Sequence, residues 1–119
     1  MMDLIFSYSR EQAINDGVLI PIDAKMGSEV GLKVPAAMTN GLYNKYIQTT
    51  LLSQDEEGRI WDMLFMFVLS AKGSNSDTIL FDVIFQMSDS KTETATLKAI
   101  IGPGDHGEPV LTFLLKHED

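Results

Sequence analysis

From Thr78 onward, apolar residues recur at every second position in three separate stretches. Ile79, Phe81, Val83, Phe85 and Met87 are set against Thr78, Asp82 and Gln86. Ala95, Leu97, Ala99 and Ile101 are set against Thr94, Thr96 and Lys98, and Leu111, Phe113 and Leu115 enclose Thr112. A period of two is the side-chain period of a β-strand, so each stretch predicts a strand with one buried face. Short connections between them predict an antiparallel meander of three or four strands, with one face left for helices. Between about Arg59 and Ala71, Ile60, Trp61, Leu64, Phe67, Val68 and Ala71 follow helical spacing, while Met63, Phe65, Met66 and Leu69 add apolar surface on the other sides. A helix apolar on all sides is expected to be buried around most of its circumference. Trp61, Tyr43 and Tyr46 are accordingly expected in the core, with a role as interface anchors the alternative. The fold class is α+β, with N-terminal helices packed on one face of the C-terminal meander, in one domain over residues 1–119.

The first half carries helix punctuation. Ser9-Arg10-Glu11-Gln12 has the form of a capping box, and Gly17 fits the position just past a short helix ending near Asp16. Val18 to Ile22 reads as extended, and Pro21 confines it to an edge or a connector because proline lacks a ladder donor. Asp23 to Glu29 predicts one or two helical turns stopped by Gly31. Thr39 or Asn40 caps a helix with Leu42, Tyr43, Tyr46 and Ile47 on one face, weakened by Gly41 in its first turn. Gln54 to Gly58 is a polar break.

Composition narrows the function classes. The 119 residues hold 9 Lys+Arg against 17 Asp+Glu, a net charge of −8. The basic residues are scattered singly, so nothing here is built to neutralise a phosphate backbone, and no direct nucleic-acid contact is expected. The absence of cysteine removes disulfides, thiolate metal sites and cysteine nucleophiles. The longest apolar run, Met63 to Leu69, is far short of the roughly 20 residues a membrane span needs. The first residues lack the basic opening of a signal peptide. A cytoplasmic protein without membrane contact is the expectation.

Catalytic motifs fail on inspection. Gly102, Gly104 and Gly107 match G-x-G-x-x-G by spacing, but a strand follows instead of a helix and Pro103 interrupts. Gly27, Gly31 and Lys33 miss the phosphate-loop spacing. The glycine-rich connection from Gly102 to Pro109 is eight residues long by this reading and carries Asp105, His106 and Glu108. One short loop rarely supplies the three ligands of a catalytic metal site, so no metal and no cofactor are expected. Asp62 beside Trp61 reads as a first-turn helix acid favoured by the helix dipole, with Arg59 three residues earlier as its partner.

The segment Phe6-Ser7-Tyr8-Ser9-Arg10-Glu11-Gln12-Ala13-Ile14-Asn15-Asp16-Gly17-Val18-Leu19 resembles the N-terminus of a small family from bacteria, plasmids and phages that has no assigned activity. Gly58-Arg59-Ile60-Trp61-Asp62 is similar to its middle motif. Leu97-Lys98-Ala99, Gly102-Pro103-Gly104-Asp105 and Gly107-Glu108-Pro109-Val110-Leu111-Thr112 are similar to its C-terminal signature. The resemblance implies an accessory role on mobile elements and no particular chemistry. The motif residues also have plain structural uses: Tyr8 and Ile14 to anchor the first helix, Gly17 to stop it, and Gly102 to Gly107 to turn the sheet.

The leading expectation is a non-enzymatic domain that binds a protein partner, with Arg59, Asp62, Asp105, His106 and Glu108 as candidate contacts. The alternative is a small-ligand or enzymatic site between the sheet and the Trp61 helix, which requires Arg59, Asp62, Asp105 and His106 to converge on one pocket. Seven methionines and the greasy helix add self-association, a homodimer, as a third option.

Overall fold

The computed structural model describes residues 9–49 and 55–118. Tyr8 and Gln54, which enter the expectations above, lie outside the described residues. Within them the chain is α+β, with four helical segments and a five-stranded mixed sheet. Helix α1 (Arg10–Asn15) is followed by β1 (Leu19–Pro21), α2 (Ala24–Val30) and β2 (Ala36–Thr39). Helix α3 starts at Asn40–Leu42 and widens into a π-helical turn over Tyr43–Ile47. Then come α4 (Glu56–Ala71), β3 (Thr78–Ser88), β4 (Lys91–Pro103) and β5 (Pro109–Leu115).

The helix signals act as read. Ser9 accepts from the Gln12 amide, and Gln12 answers with its own side chain to the Ser9 amide. Gly31 closes α2 at φ 98°, a left-handed conformation that glycine adopts without a Cβ clash. The Thr39 hydroxyl accepts from the Leu42 amide. Gly41 serves close approach: a Cβ there would sit 2.7 Å from Glu118 Oε2. Glu118 itself accepts from the Thr39 hydroxyl and the Leu115 amide, tying the end of β5 to the start of α3.

The C-terminal strands form the antiparallel ribbon that alternation demanded, with Phe81 opposite Leu97 and Ala99 opposite Phe113. The meander is incomplete as a description of the sheet. Strand order is β1-β2-β5-β4-β3, and β2 lies parallel to β5, with Met38 opposite Phe113. Strand β2 escapes a periodicity search because Ala-Ala-Met-Thr is four residues long and has no alternation. Its pairing partner lies more than seventy residues away. The connection between β4 and β5 is also shorter than eight residues. Gly102 pairs with Val110 and Pro103 with Pro109, so only Gly104 to Glu108 turn the hairpin.

The core lies between the sheet and α2, α3 and α4. Phe81, Leu97 and Phe113 are buried beneath Leu64 and Phe67. Phe67 meets Phe113 edge-on at 5.2 Å and Phe81 at 5.7 Å, a favourable arrangement for aromatic quadrupoles. Helices do not all lie on that face, however. Ala37, Val110 and Leu114 point to the opposite face from Phe113 by strand alternation, yet they are buried. Helix α1 sits there: Arg10 binds Thr112 on that face, and Ala13 of α1 is buried with them.

Candidate functional site

Helix α4 is apolar on every side, so its rotation decides what it shows to solvent. The Asp55 side chain caps its first turn by accepting from Gly58, and Glu56 and Glu57 place negative charge at the positive end of the dipole. The helix thus starts three residues earlier than Arg59, and Asp62 sits beyond its first turn, exposed. The inward stripe is Arg59, Met63 and Phe67, spaced by four, with Leu64 beside it. Arg59 is 3% exposed. Its guanidinium donates to the Tyr46 carbonyl at 2.5 Å and to the Gln86 carbonyl, and it lies over the Phe85 ring. Its Nε has no acceptor. Burial lowers the Arg59 pKa from its ordinary value. Arg59 therefore does not serve as a surface partner for Asp62; it pins α4 to α3 and β3.

The residues two positions on from that stripe are turned by about 200° and face outward. Trp61 is 39% exposed, Phe65 49% and Leu69 44%. The expectation of a core tryptophan, and of a helix buried around most of its circumference, is corrected here. The periodic signal was saturated, and one buried cation set the phase. Beside this stripe runs β3, an outer strand of the sheet, along which no strand of the described residues pairs. Two of its open-face residues are apolar and bare, Leu80 at 53% and Ile84 at 65%. Between helix and strand lies a groove of about 410 Å³ lined by Asp62, Phe65, Met66, Asp82, Val83, Ile84 and Thr94. Asp82 accepts a hydrogen bond from Thr96 on the neighbouring strand at 2.6 Å.

Of the candidate contacts, Asp62 alone lines this groove. Asp105 lies beyond the far end of β4. Gln86, bound by Arg59, pairs with Thr92, and eleven residues separate Thr92 from Pro103, roughly 35 Å of strand. Arg59 and Asp105 thus do not converge on one pocket. Asp105 instead accepts the Arg10 and Glu11 amides at 2.7 and 3.0 Å, and these two bonds hold its carboxyl below the usual range. Glu108 folds back to accept the His106 amide, and the His106 side chain is exposed. Among the described residues, no three His, Asp or Glu side chains gather where they could hold a metal ion. No helix of the described residues is long and apolar enough to cross a membrane.

A second cavity, about 390 Å³, lies at the other end of the sheet between α1 and α2 and includes Arg10, Asp23 and Lys33. Arg10 is committed there to the Thr112 hydroxyl and the Leu111 carbonyl. Leu80 and Ile84, which the sequence reading passed over, do have a signal: they are apolar where β3 alternation called for polar residues.

A family model described as a family of unknown function (DUF6573) matches residues 1–119. The chain belongs to this family. No curated protein and no solved structure matches it.

Proposed function

We propose that the chain is a single non-enzymatic domain that binds a protein partner through the face formed by α4 and β3. The observation that carries this reading is the groove in which Phe65 of the exposed helix stripe meets Ile84 of β3, an outer strand along which no strand of the described residues pairs. Ordinary surfaces carry single apolar residues; exposed apolar side chains from two elements lining one groove are the mark of an interaction surface. A tryptophan and a phenylalanine on the exposed helix face suit such a role. The lack of cysteine fits a reducing, cytoplasmic setting. The accessory role on mobile elements implied by the resemblance fits a binding domain better than an enzyme.

A photo-crosslinking residue at Phe65, in the chain expressed in its native host, tests the proposal against the same residue at Lys33 near the opposite sheet edge. One discrete protein adduct is expected from position 65 and none from position 33, and Ile84→Glu should abolish it. Equal labelling at both positions, or none at 65, overturns the reading.

A further inference from the structure

We infer that the partner adds an extended segment along β3 as a sixth strand, and that this segment carries a Lys or Arg flanked at two residues on each side by apolar side chains. This deepens the protein-binding proposal and rests on it.

The two edges of the sheet are treated differently. Strand β1 is three residues long and ends in Pro21, which blocks further pairing. Strand β3 is 11 residues long, holds no proline and has one charged residue, Asp82. Long edges are usually blunted by lysine, proline or bulges, because free N–H and C=O groups recruit any extended chain. On β3 the irregularity falls only at its end, between Gln86 and Ser88. Among the described residues no strand covers the middle of the edge, and α4 lines the groove beside it through Phe65 and Met66.

Charge selects among occupants. The seven lining residues include Asp62 and Asp82 and no basic side chain. On the open face, Leu80, Asp82 and Ile84 succeed one another at the strand period. An added strand meets them with three cross-strand neighbours, so the complementary order is apolar, basic, apolar. The order is symmetric about Asp82 and reads the same for parallel or antiparallel approach. A second copy of this chain fits poorly. The register that sets Leu80 against the partner copy's Ile84 also sets Asp82 against its own counterpart, and like charges directly opposed are destabilising. Each copy also brings a net charge of −8. Backbone bonds along the edge would supply affinity, and the apolar-basic-apolar order would supply specificity.

The test uses two capped synthetic peptides, Thr-Val-Thr-Lys-Thr-Val-Thr and its twin with Glu in place of Lys, titrated into the intact chain. Amide shifts of β3 and the emission of Trp61, the one tryptophan, are followed. The Lys peptide should bind about tenfold more tightly than the Glu peptide, with shifts centred on residues 80 to 84. Asp82→Asn should reduce that preference below about threefold, and so should high salt. Equal binding of the twins, no binding, shifts centred elsewhere, or a dimer by light scattering with β3 amides already protected would each overturn strand addition. A specific crosslink at position 65 alongside failure of both peptides would leave the protein-binding reading standing and remove only this one.

Discussion

Replacing Arg59 with methionine isolates the contribution of its two carbonyl bonds. Methionine is similar in length and apolar, so the volume left by the guanidinium is partly refilled. What is lost is the donation to Tyr46 O and Gln86 O. Hydrogen bonds from a charged donor contribute about 1.5–3 kcal/mol each, and a buried carbonyl left without a donor costs about 1–3 kcal/mol. The gain on the other side is release of a buried cation from its desolvation cost. The Gln86 carbonyl is only partly buried, so water can replace one of the two bonds. The balance is a loss of about 2–4 kcal/mol, against a typical domain stability of about 5–15 kcal/mol. With about 2.1 cal/mol/K per residue over 119 residues, 3 kcal/mol lowers Tm by about 12 °C. Urea unfolding should show the midpoint falling with an unchanged slope. The difference between variant and wild type should persist in 1 M salt, because the acceptors of Arg59 are carbonyl dipoles with no carboxylate to be screened. A variant within about 0.5 kcal/mol of wild type would refute the assignment of Arg59 as a structural pin.

Two pH dependences follow from the other polar anchors. Tyr46 is pushed up to about 12, first by burial and then by its bond to Glu93, so its protonated form is favoured by folding. That contribution is complete below the unfolded value of about 10 and is lost as pH rises towards 12; Tyr46→Phe should flatten the stability loss over that window in urea titrations. Asp105 is shifted the other way by the Arg10 and Glu11 amides, so its contribution is present above the ordinary carboxylate range and is lost as pH falls through its depressed value. Asp105→Asn should reduce hydrogen-exchange protection of those two amides at neutral pH, and the difference from wild type should vanish in strong acid.

Where one local rule governed, the sequence was sufficient. Ser9, Gly17, Gly31 and Thr39 mark helix ends through backbone chemistry confined to a few residues, and all four do so in the structure. The buried sets Phe81–Val83–Phe85 and Ala95–Leu97–Ala99 follow from alternation alone. Long-range pairing was not legible: nothing in Ala36–Thr39 says that it lies parallel to β5. Strand β5 hid a second buried face for the same reason, since Val110 and Leu114 are buried on the face where Arg10 of α1 binds Thr112. The face of α3 was legible despite its π-helical turn: Leu42, Tyr46 and Ile47 are buried, and Tyr43 packs against the same core while its hydroxyl donates to Glu56. The groove was half legible, because Ile84 breaks the pattern of β3, but the outward turn of α4 was not.

That outward turn connects the fold to the proposed role. A helix apolar on every side gains similar burial in several rotations, so hydrophobic packing alone specifies its phase weakly. A guanidinium bound to two carbonyls on different elements is compatible with one rotation only. With Arg59 inward, Trp61, Phe65 and Leu69 have to face out, and Phe65 lines the groove beside β3. The buried cation thus costs solvation and sets which greasy face is offered to a partner. The Arg59→Met variant reads this directly. Under conditions where it remains folded, Trp61 should move to a less polar environment, with blue-shifted emission, as α4 relaxes towards burying more of its surface. An unchanged Trp61 spectrum in a folded variant would mean that the remaining apolar contacts set the phase, and that Arg59 contributes stability without selecting the surface.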